Sequence, residues 1–474
     1  MHELLERADK WEVDDRFEVP RLHDLVDGGD VAASTVRLES AYYDTADHDL
    51  QSHGIVLRRR DGDDDTGWQL EVPAAEGRIE IRTSLADEPP TELEELLIGL
   101  RHGKPLVNVA TLRTERTRYR IRERGHDRAC AELADDLVRA SVDHRLLAWR
   151  EIEVEYERKG RTLSRRLAKR LSKAGARPSR YRSKLEHALG AVEAPNANGD
   201  AAPSAFGEYV TAQIDAIFDG DIALRRGQDP IHDTRVAIRR LRSTIRVFGT
   251  LLDRVAAEHV DEELKWFAGL LGEVRDRQVQ RRRFGKVLAD WPPELVLGPV
   301  ANRINSELQS EQLRARKEVT EAMASPRYLD ILTILQQWRT QVPTTTEPSA
   351  KRLHKRAMKA ERKADGRLAA AVDGGDGAML HRARKAAKRA RYAAELRRPI
   401  DGSAAAKKAE KHFKRIQRVL GEHQDSVVAS DALRRFALTA GTTPGENGFT
   451  YGLLYAREKQ IADAARKQAS DLLR

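Results

Sequence analysis

Residues 232–276 recur, without a gap, at 381–425. At this offset of 149, LHRARKAAKRARYAAEL falls on the stretch that opens IHDTRVAIRRLRS: His232 meets His381, Arg235 meets Arg384, Arg239 meets Lys388 and Arg242 meets Arg391. The same register carries Lys265 to Lys414, LGEVRD to LGEHQD and Asp276 to Asp425. An internal repeat of this length restricts the C-terminal part to two related units that bury their apolar faces on neighbouring elements. The spacing predicts two helical hairpins, each with a basic first helix and a second helix ending in Leu-Gly-Glu.

Within the first copy, His232, Arg235, Arg239, Arg242 and Arg246 step by three and four and share one helical stripe about 21 Å long. Val236, Ala237, Leu241, Thr244, Ile245 and Phe248 take the opposite side. Like charges at i,i+4 cost a few tenths of a kcal/mol per pair, and no acid falls within the stripe. In the second copy the side opposite the stripe is made of Ala386, Ala387, Ala390, Ala393 and Ala394, small residues that allow close helix approach. Two such units would set the stripes around a shared surface. A solvated Lys/Arg face is the plain alternative.

The net charge of +9 is unevenly distributed. Residues 1–200 hold 34 Lys+Arg and 40 Asp+Glu, a balance of −6, which leaves +15 on residues 201–474. An anionic partner is therefore expected on the C-terminal part. The single cysteine, Cys130, excludes an intrachain disulfide and a cysteine-rich metal cage. A polar N-terminus and the lack of a long apolar run predict a cytoplasmic protein with no membrane span.

Upstream, TVRLESAYYDT, GIVLRRRD, GWQLEV, RIEIRT, TERTRYRIRER and WREIEVEYER alternate with period two and predict antiparallel strands broken at DGDDDTG and AAEG. The fold class expected is α+β multidomain: an N-terminal antiparallel β-barrel with helices over 1–190, a linker over 191–205 (AVEAPNANGDAAPSA), and an all-α domain of two repeated helical units over 206–474. One strand face carries Glu151, Glu153, Glu155 and Glu157. Arg58 and Arg60 share another, and Arg78, Glu80 and Arg82 a third. A closed barrel would gather these into a polar tunnel suited to a divalent metal and phosphate; an ordinary sheet with one solvated charged face remains the alternative.

For the basic stripes, a linear polyanion made only of phosphate fits best, since it needs cations in a row and no base readout. Nucleic acid is disfavoured because single-strand binders add aromatic platforms and only Tyr392 interrupts the stripes. A membrane surface would require large apolar groups beside the cations. An acidic protein partner stays open, with its identity unspecified.

HDTRVAIRRLRS with LKWFAGLLGEVRD, and HRARKAAKRARY with LGEHQD, resemble the two halves of a CHAD domain over roughly 202–470. That resemblance implies binding of inorganic polyphosphate at His232, Arg235, Arg239, Arg242, Lys265, His381, Arg384, Lys388, Arg391 and Lys414, with association with polyphosphate granules. Arg246 and Arg275 join the first copy, whereas their counterparts are Glu395 and Gln424. Protonation of His232 and His381 is expected to tighten binding between about pH 7.5 and 6.

SAYYDT, GIVLRRR, GWQLEVP, LRTERT, WREIEVE and RSKLEHALG resemble a CYTH domain, the triphosphate-tunnel family, over roughly 3–190. The resemblance implies catalytic Glu6, Lys10 and Glu153, phosphate-binding Arg58, Arg60, Arg113 and Lys184, and Mg²⁺ or Mn²⁺ on Glu151 and Glu153. Two positions depart from the family pattern: Ala8 replaces the middle glutamate of Glu-x-Glu-x-Lys, and Glu71 replaces the lysine after Trp-x-Leu. Both weaken metal and triphosphate binding, so catalysis is expected to be weak or absent and the domain to serve as a phosphate-ligand or structural module. The competing enzyme reading is a metal-dependent inorganic triphosphatase, and the competing binding reading is nonspecific nucleic-acid association.

Overall fold

A computed structural model describes residues 2–26, 28–62, 66–124, 128–156, 161–190, 201–402, 404–442 and 445–473. Residues 63–65 of the expected DGDDDTG turn, Glu157 and residues 191–200 of the expected linker lie outside them. The chain forms two compact units, Met1–Pro195 and Asn196–Arg474. No helix among the described residues is long and apolar enough to cross a membrane.

The first unit is one ten-stranded sheet. Its strands are β1 (His2–Glu6), β2 (Ala8–Val13), β3 (Asp30–Asp44), β4 (Val56–Asp61), β5 (Gly67–Ala74), β6 (Gly77–Thr83), β7 (Val107–Arg122), β8 (Ala129–Val142), β9 (Arg145–Tyr156) and β10 (Arg177–Pro178). The helices are α1 (Asp49–Ser52), α2 (Thr91–Arg101), α3 (Arg161–Lys173) and α4 (Lys184–Leu189). Strand order is β1-β6-β5-β4-β3-β7-β8-β9-β2-β10, with every pairing antiparallel. No ladder among the described residues joins β1 to β10, so the expected closed barrel is an open sheet. It is nevertheless curled: β1 and β2 are separated only by Arg7, yet β1 pairs with β6 and β2 with β9, so one extended segment spans both ends of the order.

Period-two alternation divides β9 cleanly. Ile152 and Val154 join a buried cluster with Trp11, Leu133, Leu167 and Leu171, which docks α3. Glu151, Glu153 and Glu155 take the opposite face, and Glu151 is only 6% exposed, so the charged face is interior rather than solvated. A second cluster, including Tyr42, Val56, Leu112, Val138, Leu185 and Ala188, docks α4.

The second unit contains nine helices among the described residues: α5 (Ala201–Arg225), α6 (Ile231–Phe248), α7 (Arg254–Asp290), α8 (Val300–Met323), α9 (Pro326–Thr340), α10 (Ala350–Gly374), α11 (Gly377–Asp401), α12 (Ala404–Ala440) and α13 (Phe449–Asp471). Residues 201–205, expected as linker, open α5. The offset of 149 maps α5–α8 onto α10–α13, with α9 between the copies, so each repeat is four helices and not a hairpin. Leu-Gly-Glu lies in the middle of α7 and α12 rather than at their ends. Both copies contribute to one core, in which Phe284, Ile304 and Leu308 pack with Leu433, Phe436 and Tyr451. The alanine face of α11 is buried, with Ala386, Ala387 and Ala390 against Phe413, Ile416 and Leu420.

Candidate functional site

The inner face of the curled sheet encloses a cavity of about 270 Å³ whose lining includes nine cations (Lys10, Arg58, Arg60, Arg78, Arg82, Arg116, Arg118, Arg120 and Lys184) and the carboxyl groups of Glu6, Glu71, Glu132, Glu153 and Glu155. Strand register aligns these groups: Lys10 faces Glu153, Arg116 faces Asp136, Arg120 faces Glu132, and Glu71 faces Glu80. Glu6 is held at the turn into β6 by Gly77, which has φ 136° and lies so close to the Glu6 carbonyl that a Cβ would sit 2.1 Å from it. Lys184 enters on the first turn of α4, capped by Ser183 Oγ accepting from the Glu186 amide at 3.0 Å and docked through Leu185 and Ala188.

The structure therefore brings Glu6, Lys10, Arg58, Arg60, Glu153 and Lys184 to one cavity and leaves Arg113 out of it. Arg113 is 77% exposed and pairs with Glu39 at 3.5 Å. Parity explains the difference, because Arg113 and the even-numbered Arg116, Arg118 and Arg120 point to opposite faces of β7. RTRYR carries the signal in its own alternation. Asp9 likewise points away, accepting a hydrogen bond from Tyr156 Oη at 3.0 Å. Ala8 sits opposite Glu155.

The carboxylates expected to hold a metal are already engaged. Lys184 Nζ lies 2.8 Å from Asp136 Oδ2, 2.8 Å from Glu151 Oε1 and 3.1 Å from Glu153 Oε2. Arg116 donates two 2.8 Å hydrogen bonds to Asp136, Lys10 lies 3.1 Å from Glu153, and Trp149 Nε1 donates to Glu151 at 2.7 Å. Burial alone would raise the pKa of Glu151 and of Glu153, yet Lys184 and Lys10 hold both well below the usual carboxylate range. The second carboxylate group, Glu6, Glu71 and Glu80, is also filled. Arg58 and Arg78 reach Glu71 at 2.6 and 2.7 Å and keep it down at about 2 despite burial, while Arg82 reaches Glu80 at 2.6 Å. Burial and a hydrogen bond with Glu80 push the Glu6 pKa up, so the two carboxyl groups favour holding a proton between them. A divalent cation at either carboxylate group would have to displace a bonded ammonium or guanidinium, and these donor sets do not fit one as they stand.

In the helical unit the two stripes converge. Arg235 and Arg239 of α6 and Arg384 of α11 lie near enough to Lys388 to act with burial in pulling its pKa down to about 7. Lys388 makes no hydrogen bond or ion pair among the described residues. Among the described residues Arg239 donates to Tyr392 Oη alone, at 3.0 Å, which ties α6 to α11. Arg235 donates to the Ala268 carbonyl at 2.9 Å, and Arg384 lies 3.6 Å from Asp425. Asp425 and its repeat partner Asp276 were missed as members of this cluster. Burial raises the pKa of each, while Arg384 and Arg235 oppose the rise.

The glycines of Leu-Gly-Glu lie beneath these arginines. A Cβ on Gly272 would stand 2.3 Å from Arg235 Nη1, and one on Gly421 3.4 Å from Arg384 Nη2. They provide close approach in mid-helix rather than helix termination.

The remaining positions are peripheral or paired. Arg242 and Arg246 both bond Asp261 of α7, at 3.0 and 2.6 Å, so the acid absent from the stripe arrives from another helix. Arg275 donates to Gln278 at 3.3 Å, Arg391 to Gln417 at 3.2 Å, and exposed Lys265 pairs with Glu262 at 2.8 Å. Lys414 is exposed on α12. Glu395, which replaces the counterpart of Arg246, pairs with Arg240 at 3.0 Å, and Gln424, which replaces that of Arg275, bonds His381 at 2.9 Å. Burial, with Arg275, lowers the His232 pKa, and burial also lowers that of His381, so both shifts oppose the protonation expected of these residues.

Comparison with known proteins agrees with this architecture. The CYTH domain model matches residues 12–179 and the CHAD domain model residues 208–434. An uncharacterized protein of Mycobacterium tuberculosis, Rv2226, is 33% identical over 93% of this chain and 90% of its own length. Among solved structures, PptA from Streptomyces chartreusis is 20% identical, covering 57% of this chain and 98% of that one, with a TM-score of 0.49. The CHAD domain from the plant Ricinus communis is 24% identical, covering 59% and 94%, with a TM-score of 0.47. A curled antiparallel sheet matched by one family and a repeated helical domain matched by the other, both within a chain that aligns almost end to end with its mycobacterial relative, make this protein a member of the CYTH–CHAD family.

Proposed function

We propose that the helical domain binds inorganic polyphosphate where the two repeat copies meet, with Arg235, Arg239, Arg384 and Lys388 as the central contacts and Arg242, Arg246, Arg275 and Arg391 extending the row. The observation that carries this reading is Lys388, half-buried among three arginines, with no acid at ion-pair distance among the described residues and only the more distant Asp425 charge opposing the depression of its pKa. Packed like charges destabilise the free protein and are relieved by a polyanion. Tyr392, the one aromatic residue in the stripes, is 2% exposed and engaged by Arg239, so it offers no platform for a base. The row therefore suits bare phosphate better than nucleic acid.

The CYTH domain serves in this reading as a phosphate-ligand module rather than a hydrolase, because its acidic groups are bonded to Lys184, Lys10 and arginines. The test is binding of long-chain polyphosphate to the full-length protein at about 0.15 M salt, with RNA at equal phosphate as competitor. Arg239→Glu with Lys388→Glu is expected to lower affinity by about 100-fold while helical circular dichroism is retained. Unchanged affinity in that double variant, or equal displacement by RNA, overturns the reading.

A further inference from the structure

The cavity of the sheet domain holds an imbalance that its internal pairing does not remove. Arg58, Arg78, Arg82, Arg116 and Lys184 each bond a carboxylate at 2.6–2.8 Å. Arg60 does not. It is 7% exposed, lines the cavity, and makes one hydrogen bond among the described residues, from Nε to Ser40 Oγ at 3.4 Å. Burial and the neighbouring Arg58 and Arg116 push its pKa down to about 10, which leaves it charged at neutral pH. A buried guanidinium without an acid is costly unless an anion completes it. On the opposite side of the account, the three carboxylate oxygens that could have gripped a metal surround the Lys184 ammonium instead.

We infer that this cavity is a metal-independent site for a compact multivalent oxyanion, in which Lys184 occupies the place of a divalent cation and Arg60 receives the anion. The site is separate from the polyphosphate row of the helical domain. Lys184, together with Arg116 and Lys10, neutralises Asp136, Glu151 and Glu153, so the acids neither repel the ligand nor recruit a metal. Arg60, on the same cavity wall as Arg58, supplies donors that no described residue uses. The role also makes Arg60 a burden in the free protein, so its removal relieves repulsion instead of opening a gap in an ion-pair network.

The experiment uses the full-length protein carrying Arg239→Glu and Lys388→Glu, so that binding at the helical row is suppressed and failure of one reading does not mask the other. Calorimetry with tripolyphosphate in EDTA is expected to show saturable binding, reduced at least about tenfold by Arg60→Gln. The same substitution is expected to leave the thermal midpoint unchanged or raised. Electron paramagnetic resonance of Mn²⁺ is expected to show no ion taken up by the unliganded protein. Three results each overturn the inference: tripolyphosphate binding that requires Mn²⁺, Mn²⁺ bound to the unliganded protein, or Arg60→Gln that unfolds the domain or binds as tightly as its parent. Absence of tripolyphosphate binding in EDTA overturns it as well.

Discussion

The two domains use the same cations in opposite ways. In the sheet, nearly every arginine and lysine of the cavity meets a carboxylate at hydrogen-bonding distance, and these acids come from strands β5, β6 and β8, with α4 supplying the Lys184 ammonium. In the helical domain the outer residues Arg242 and Arg246 are paired through Asp261, but at the centre Arg239 and Lys388 form no ion pair among the described residues, and the nearby Asp425 pairs with Arg384. Counting basic residues would rank both as phosphate sites. What separates them is where the acids fall, because a neutralised cation contributes little net attraction, whereas an unpaired, partly desolvated one is poised for an anion.

Four substitutions or titrations sharpen this contrast. Glu71→Lys, which restores the residue type of the CYTH pattern, removes the partner of Arg58 and Arg78 and adds a third buried cation. It is expected to destabilise the sheet domain by about 3–5 kcal/mol. Chemical denaturation would show this, and a larger stabilisation by tripolyphosphate in the variant than in the wild type would show that self-neutralisation had been exchanged for ligand affinity. The double reversal at Arg239 and Lys388 comes next, at about 100-fold in polyphosphate affinity; a comparable loss from reversing Arg242 and Arg246, which already have Asp261, would break the distinction between paired and unpaired cations.

The third effect is pH dependence. Lys388 is depressed to about 7, so it is charged below that value and increasingly neutral above it. Polyphosphate binds the charged form, and its affinity is expected to fall about tenfold between roughly pH 6 and 8. Calorimetry in buffers of different ionisation enthalpy should register proton uptake in this range, and Lys388→Arg should abolish it. The smallest effect belongs to the glycines. Gly272→Ala is expected to displace the Arg235 guanidinium and weaken binding about threefold, while Gly421→Ala, with its longer clearance, leaves affinity unchanged. Each gains up to about 1 kcal/mol of helix propensity, measurable as a higher thermal midpoint.

Much of the architecture is legible in the sequence because it rests on short periods. Alternation identified the β3, β4, β5, β6, β7 and β9 stretches, and the charge on one face of β9 was readable as Glu151, Glu153 and Glu155. The strand β8 was not, since ACAELADDLVRASV places Asp135 and Asp136 side by side and blurs the alternation; Asp136, a principal partner of Arg116 and Lys184, was missed with it. Arg113 was misplaced by one step of parity. The repeat at 149 was visible over 45 positions but extends structurally to four helices on each side, because the outer helices keep their length and place in the order rather than residue identity.

The sequence by itself determined that the chain has a strand-rich acidic part and a repeated basic helical part, that one glycine in each repeat lies at a fixed distance from one arginine, and that cations line up on helical and strand faces. These follow from periods of 3.6 and 2 and from a fixed offset, all properties of local chain geometry. Which cations are neutralised was decided only by the tertiary structure. Asp261 lies 15 residues from Arg246, Lys184 lies 48 residues beyond Asp136, and Arg239 and Lys388 come together from helices on different repeats. Electrostatic energy depends on distance through space and on burial, and neither is written in the spacing of residues along the chain.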